Sequence, residues 1–245
     1  MGGKKVHQNW VGNLFDSSVV RMPDGSEWEI RDKLSEKATF APGRSEQPWS
    51  EAQAVYNCQQ VKGKSVGMEA IAKIRLQVPP DYPASLDPRV RRKLASRELT
   101  GWTKGEINTL RYLNEKGCTV TPKLLFAVQT WQDLDYMPVP GGHLTYLIME
   151  KAPGVPLVNF WEYDRAKRDR IRAAFKKSAQ ELFSHHARPI DAHLGNIIYD
   201  EKKNKCSIVD YEQVLIDLKC PPKKFSNNAY FIWGLALDRD DKEVY

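Results

Sequence analysis

The chain has 245 residues, 41% hydrophobic and 10% aromatic, with Lys+Arg 37 against Asp+Glu 31 and a formal net charge of +6. At roughly 100–200 residues per domain this suits one large domain or two small lobes, able to bury a core without disulfide staples. The apolar content excludes a disordered or collagen-like chain, no apolar run reaches the roughly 18–20 residues of a membrane span, and so mild a charge permits an anionic ligand without implying nucleic acid.

The N-terminal MGGKKVHQNWVGN has a charged start with no apolar stretch after it, and Val6 stands where a myristoylation motif needs Ser or Thr. Neither a secretory leader nor a lipid anchor is expected. A hairpin is predicted next, with strands at 19–22 and 27–30 around the turn Pro23-Asp24-Gly25-Ser26. Residues 41–50 (APGRSEQPWS) read as a loop. Strands follow at 54–61 and 68–76, joined by Lys62-Gly63-Lys64. Residues 77–88 contain Pro79, Pro80, Pro83 and Pro88 and read as an exposed loop. An apolar stripe of Ile107, Leu110, Tyr112 and Leu113 predicts a helix over 104–115, with Gly117 as its C-cap.

Strands are expected at 124–129 and 145–149, connected through Gly141-Gly142, and Pro153-Gly154 marks a boundary. Beyond it the spacing turns helical over 162–185. Ile171, Ala174, Phe175, Leu182 and Phe183 share one face, and Arg165, Lys167, Arg168, Arg170, Arg172, Lys176 and Lys177 crowd the other. Two short apolar runs, 196–199 and 206–209, flank a polar turn, and 229–237 is an apolar helix candidate. The four cysteines, Cys58, Cys118, Cys206 and Cys220, form no C-x-x-C pair, which argues for reduced thiols in a cytoplasmic protein and against a zinc site. No Cys or carboxylate is read at ligand spacing from His185-His186, which are taken as a helix end whose cationic form complements the dipole.

The segment richest in chemistry is Asp191-Ala-His-Leu-Gly-Asn196-Ile-Ile-Tyr, followed by Cys206-Ser-Ile-Val-Asp210-Tyr-Glu212. An aspartate can accept the proton of an attacking hydroxyl, and an asparagine oxygen with a second aspartate offers hard ligands for Mg²⁺. A short hairpin between Asn196 and Asp210 would bring both to one mouth. The D-x-x-x-x-N spacing is that of a kinase catalytic loop.

This segment resembles the H-G-D-L-H-P-G-N-I-L…I-D-W-E signature of the aminoglycoside phosphotransferase-like, protein-kinase-like superfamily, and in particular its short fungal members. Upstream, Ala70-Ile71-Ala72-Lys73 resembles the strand with the kinase-type lysine. Glu106-Ile-Asn-Thr-Leu-Arg-Tyr-Leu113 is similar to the helix whose glutamate pairs with that lysine. Leu147-Ile-Met-Glu-Lys-Ala-Pro-Gly154 resembles the hinge between lobes.

The resemblance implies an α+β, two-lobed fold: an antiparallel-sheet N-lobe over 1–151 and a small, mostly helical C-lobe over 152–245. It implies ATP and Mg²⁺ as cofactors and a hydroxyl of a small molecule or protein as acceptor. Asp191 would be the catalytic base. Asn196 and Asp210 would hold the metal. Lys73 would contact the α- and β-phosphates, held by Glu106. Met149 would back the adenine pocket, with the backbone of Glu150 and Ala152 reading the base edge.

Pro189 replaces the family's usual His two residues before Asp191, the phosphate-covering loop offers few glycines (Gly43, Ser45 and Ser50 are its candidates), and the segment after Asp210 is short. These departures keep a nucleotide-binding pseudokinase as the alternative. His193 is expected to brace the loop by a hydrogen bond. The basic helix and Arg89-Val-Arg-Arg-Lys93 lack interleaved aromatics and read as solvated faces, not as a nucleic-acid surface.

Overall fold

The computed structural model describes residues 9–40, 50–80 and 84–237. It is a mixed fold of strands and helices that divides into two compact units, residues 1–104 with 124–151, and residues 105–123 with 152–245.

The first unit is an antiparallel sheet. β1 (Val19–Arg21) turns into β2 (Glu27–Thr39) through the Asp-Gly turn. Gly25 takes φ +82°, and Asp24 Oδ1 accepts from the Ser26 amide at 3.0 Å. These are the two devices that make Asp-Gly a turn former. β3 (Ser50–Lys62) and β4 (Glu69–Val78) follow, then β5 (Leu124–Trp131) and β6 (His143–Glu150), in the spatial order β1-β2-β3-β4-β6-β5. Register shifts in β2 between Ile30 and Ser35 bend that strand, as bulges do.

Strand alternation gives this sheet two unlike faces. One carries Ala52, Ala54, Tyr56 and Cys58 on β3 and Ala70, Ala72, Ile74 and Leu76 on β4. It packs into a core with Val11, Phe15, Trp28 and Ile30. The other carries Glu51, Gln53, Lys73, Arg75, Gln77, His143 and Thr145, all of them buried.

The segment after β4 provides the cover. Asp87 caps the short α1 (Pro88–Arg92) by accepting from the Arg89 amide at 2.8 Å. Gln77 then donates to the Leu94 carbonyl at 2.7 Å and accepts from the Ser96 amide at 2.8 Å, while the His143 amide donates to the Ser96 carbonyl at 2.8 Å. Of the exposed loop expected over 77–88, Gln77 and Val78 belong to β4 and Ser85, Leu86 and Asp87 are exposed, while the segment after α1, residues 94–103, folds back onto the polar side of the sheet. The predicted loop at 41–49 lies outside the described residues, and Ser50 is already a buried residue of β3.

α2 (Gly101–Glu115) starts three residues earlier than its apolar stripe predicts, because the Thr100 hydroxyl accepts from the Thr103 amide at 3.1 Å. It stops at Gly117 (φ +73°), where the Cys118 amide returns to the Leu113 carbonyl at 2.9 Å.

In the second unit the short β7 (Val155–Pro156) is followed by a 3-10 segment (Leu157–Glu162) and α3 (Arg165–Ser184), capped by Asp164. Then come β8 (Ala187–Pro189), β9 (Ile197–Asp200), β10 (Lys205–Ile208), β11 (Val214–Ile216) and α4 (Asn228–Ile232). β10, β9 and β7 form one small sheet, and β8 and β11 pair separately. Gly154 lies so close to β9 that a Cβ there would sit 2.1 Å from the Tyr199 carbonyl oxygen, and its φ is +111°. Glycine at 154 is thus needed for that approach.

The apolar face of α3 is buried as its spacing predicts, but so is Arg172 from the basic face. Its guanidinium lies 5.4 Å from the Phe160 ring centroid, and its Nε donates to the Leu235 carbonyl at 2.9 Å. Phe175 packs against Phe225, Tyr230 and Trp233 with ring centroids 6.5, 6.1 and 5.4 Å away. The helix expected over 229–237 ends at Ile232, since Gly234 takes φ +76° and the chain turns to pass along Arg172.

Candidate functional site

The chemistry-bearing segment of the second unit is built from main-chain pairing. β8 pairs with β11 so that Pro189 stands opposite Val214, and the Ile190 amide donates to the Gln213 carbonyl at 2.9 Å. Asp191 follows directly. A two-stranded ladder therefore holds the chain just before this loop. His193 Nδ1 accepts from the Gly195 amide at 3.1 Å and caps the 3-10 turn Leu194–Asn196. This is the bracing role expected of it.

Asn196 is buried at the end of that turn, and its Nδ2 donates to the Asp191 carbonyl at 2.9 Å. With the amide nitrogen committed, Oδ1 is the atom Asn196 presents. β9 and β10 pair Ile197 with Ile208, and the Val209 amide donates to the Asn196 carbonyl at 3.0 Å. Asp210 is the next residue. Its φ of +66° is left-handed, a conformation aspartate tolerates better than most residues and one that recurs at functional sites.

Tyr211 pins the chain just beyond. Its ring is fully buried, its hydroxyl donates to the Ile208 carbonyl at 2.9 Å, and burial first of all pushes its phenol far above the usual range. A Cβ at Gly105 would come 3.4 Å from the Glu212 carbonyl oxygen, so the part of α2 that carries Glu106 runs alongside this segment. Asp191, Asn196, Asp210 and the Glu106 helix are thus gathered in one unit. Asn196 and Asp210 are hard oxygen donors at one end of one hairpin, a donor set that fits a divalent metal such as Mg²⁺.

The remaining predicted residues lie elsewhere. Lys73 is buried on β4 opposite Leu147, and Ile71 is opposite Met149, so Lys73 and Met149 share a sheet face with Val55. Glu150 ends β6 opposite Ala70. Ala152 is the first residue of the second unit's longer segment.

Sequence reasoning missed a second polar assembly. The Glu51 carboxylate is buried, 2.7 Å from Arg75 Nη1 and 3.3 Å from His143 Nε2, and accepts from the hydroxyls of Thr100 at 2.9 Å and Thr103 at 2.5 Å. Burial opposes its charge, but Arg75 and then His143 and Thr103 overcome that and hold its pKa at about 2. The signal was present in the alternation Glu51-x-Gln53 and Lys73-x-Arg75-x-Gln77 between small apolar residues, which marks a strand buried on both faces with one of them polar.

No family model matches the chain, and no curated protein matches it. Among solved structures it is similar to the kinase PK-1 of Cydia pomonella granulovirus, with a TM-score of 0.45 and 16% identity over 88% of this chain and 73% of that one.

Proposed function

We propose that the chain is an ATP- and Mg²⁺-dependent, kinase-like phosphotransferase acting on a hydroxyl of a small molecule or protein. The observation that supports this best is the bond from Asn196 Nδ2 to the Asp191 carbonyl, within a hairpin that sets Asp210 one residue beyond the Val209–Asn196 pair. This arrangement turns a D-x-x-x-x-N spacing into a base and two hard oxygens on one rigid support.

In this reading the Asp191 carboxylate orients the acceptor hydroxyl and takes its proton, and Asn196 Oδ1 and the Asp210 carboxylate hold the metal. Bound Mg²⁺ would neutralise phosphate charge. Phosphoryl transfer asks the protein mainly for positioning and electrostatic stabilisation. On β3, β4 and β6, Val55, Ile71, Leu147 and Met149 form an apolar strip beside Lys73, suited to a base next to a phosphate-binding cation. The family resemblance assigns Glu106 to the positioning of Lys73, and the backbone at Glu150 and Ala152 to the base edge.

The test is thermal unfolding with ATP, with and without Mg²⁺, in wild type and Asp210→Asn. A ligand at about 100 times its Kd stabilises the native state by about 2.7 kcal/mol. The proposal expects a Mg²⁺-dependent upshift that Asp210→Asn diminishes, and ATP turnover that Asp191→Asn abolishes. No shift at saturating MgATP overturns it. A shift without turnover, indifferent to Asp191→Asn, identifies a pseudokinase instead.

A further inference from the structure

Away from Asp191, Asn196 and Asp210, the fold assembles a group of metal-ligand side chains that are far apart in the sequence. Cys118 comes from the turn after α2, and Glu181 and His185 come from the C-terminal end of α3, four residues apart on one helical face. The Sγ, a carboxylate oxygen and a ring nitrogen all lie within 4.8 Å of one another. We propose that Cys118, Glu181 and His185 form a zinc-binding site, with water completing the tetrahedral set as fourth ligand.

Two features support the assignment. The first is the donor set. A soft thiolate and a borderline imidazole suit Zn²⁺ and not Mg²⁺, and the hard carboxylate oxygen is a third donor that zinc also accepts. Bond lengths of about 2.0–2.3 Å around a tetrahedral ion put neighbouring donors roughly 3.3–3.8 Å apart. Contraction by about an ångström, within the reach of side-chain torsions, closes the group on the ion.

The second is an outer shell already in place. The two oxygens of Glu181 accept from the Thr119 amide at 2.5 Å and the Thr119 hydroxyl at 3.1 Å. Lys205 Nζ donates to the Thr119 carbonyl at 2.9 Å, and the Tyr112 hydroxyl donates to the His185 carbonyl at 3.2 Å. Hydrogen bonds of this kind orient metal ligands, and a carboxylate that accepts two of them still has lone pairs to give.

A divalent cation would compensate the negative charges of a thiolate and a carboxylate held side by side. On binding, the metal takes the place of the thiol proton, which leaves to solvent.

Such an ion would tie the end of α2 to the end of α3 next to the segment that carries Asp210 and Tyr211. Cys118 is brought in by the turn at Gly117 and not by a spaced motif, and the Glu181-x-x-x-His185 spacing on α3 corrects the reading that no carboxylate stands at ligand spacing from His185.

The test is direct and separate from nucleotide binding. Purified full-length protein is titrated with Zn²⁺ against a chromophoric chelator and, separately, with Co²⁺ while the thiolate-to-cobalt charge-transfer band is monitored. The expected result is a metal-to-protein ratio near one, a cobalt–thiolate band, and a fall in melting temperature when the metal is chelated. Cys118→Ser should abolish the band and His185→Ala should weaken binding at least tenfold, while Cys220→Ser leaves both intact. The wild-type titrations need no variant to fold. Absence of stoichiometric zinc in wild type, or a band that survives Cys118→Ser, overturns the proposal. So does a Glu181→Gln protein that loses stability in the absence of any bound metal by as much as in its presence, which leaves Glu181 as a turn cap.

Discussion

Removing the Glu51 carboxylate should destabilise the first unit more than any surface change. At 2.7 Å from Arg75 Nη1, and with an effective dielectric of about 20, the pair attracts by roughly 6 kcal/mol before desolvation is counted. What survives as stability is less, but breaking such a pair from one side leaves the other charge buried and costs about 3–5 kcal/mol. Glu51→Gln and Arg75→Met should each fall in that range by urea unfolding, with hydrogen exchange of β3 and β4 peptides locating the loss. The double variant Glu51→Leu/Arg75→Met should cost clearly less than the two single costs added.

The same carboxylate makes a pH prediction with a definite sign. Its folded pKa is held at about 2, below its ordinary 4.5. A depressed pKa contributes stability that is present above the unfolded value and lost as pH falls through the folded one. At 1.36 kcal/mol per pKa unit, the shift corresponds to about 3 kcal/mol, in line with the mutational range. Wild type should therefore lose stability between about pH 4.5 and pH 2, and Glu51→Gln should lose markedly less over that window. Two results would refute the reasoning: single variants within about 1 kcal/mol of wild type, or an acid limb unchanged by Glu51→Gln.

Gly154→Ala forces a Cβ against the Tyr199 carbonyl at a backbone angle that alanine resists, and should cost at least about 2 kcal/mol in thermal or urea unfolding. A wild-type melting point would show that the chain here moves freely. Phe175→Ala removes the ring around which Phe225, Tyr230 and Trp233 pack, and should cost about 3–5 kcal/mol, checked by loss of protection in α3 and residues 225–236. Alkylation of the native, metal-free protein near pH 8 should label exposed Cys220 well ahead of Cys58 and Cys206, whose thiols burial pushes to about 12. Equal labelling would contradict that burial.

How much of this was legible follows from which forces act locally. The turn of the Asp24-Gly25 hairpin, the apolar stripes of α2 and α3, and the β9–β10 hairpin depend on turn chemistry and periodicity within a few residues and were readable from them, although β2 runs on to Thr39, well past the strand end expected at residue 30. The Asp191–Asn196 loop was readable because its support is also local: a histidine cap, and a carbonyl five residues from the amide that binds it.

The polar sheet face was not. Glu51, Arg75 and His143 are partners only after three strands align, and Thr100 and Thr103 join them only because the segment after α1 doubles back. Nor did the basic pattern of α3 reveal that Arg172 turns inward, since an arginine is expected to stay solvated unless aromatic rings and a free carbonyl are waiting for it. Phe160 and Leu235 provide these from either side of α3 in the chain. That pairing also gives the segment after Asp210 a structural use. Residues 225–236 carry few turns of helix, yet they close the α3 core with Phe225, Tyr230 and Trp233 and satisfy Arg172 through the Leu235 carbonyl.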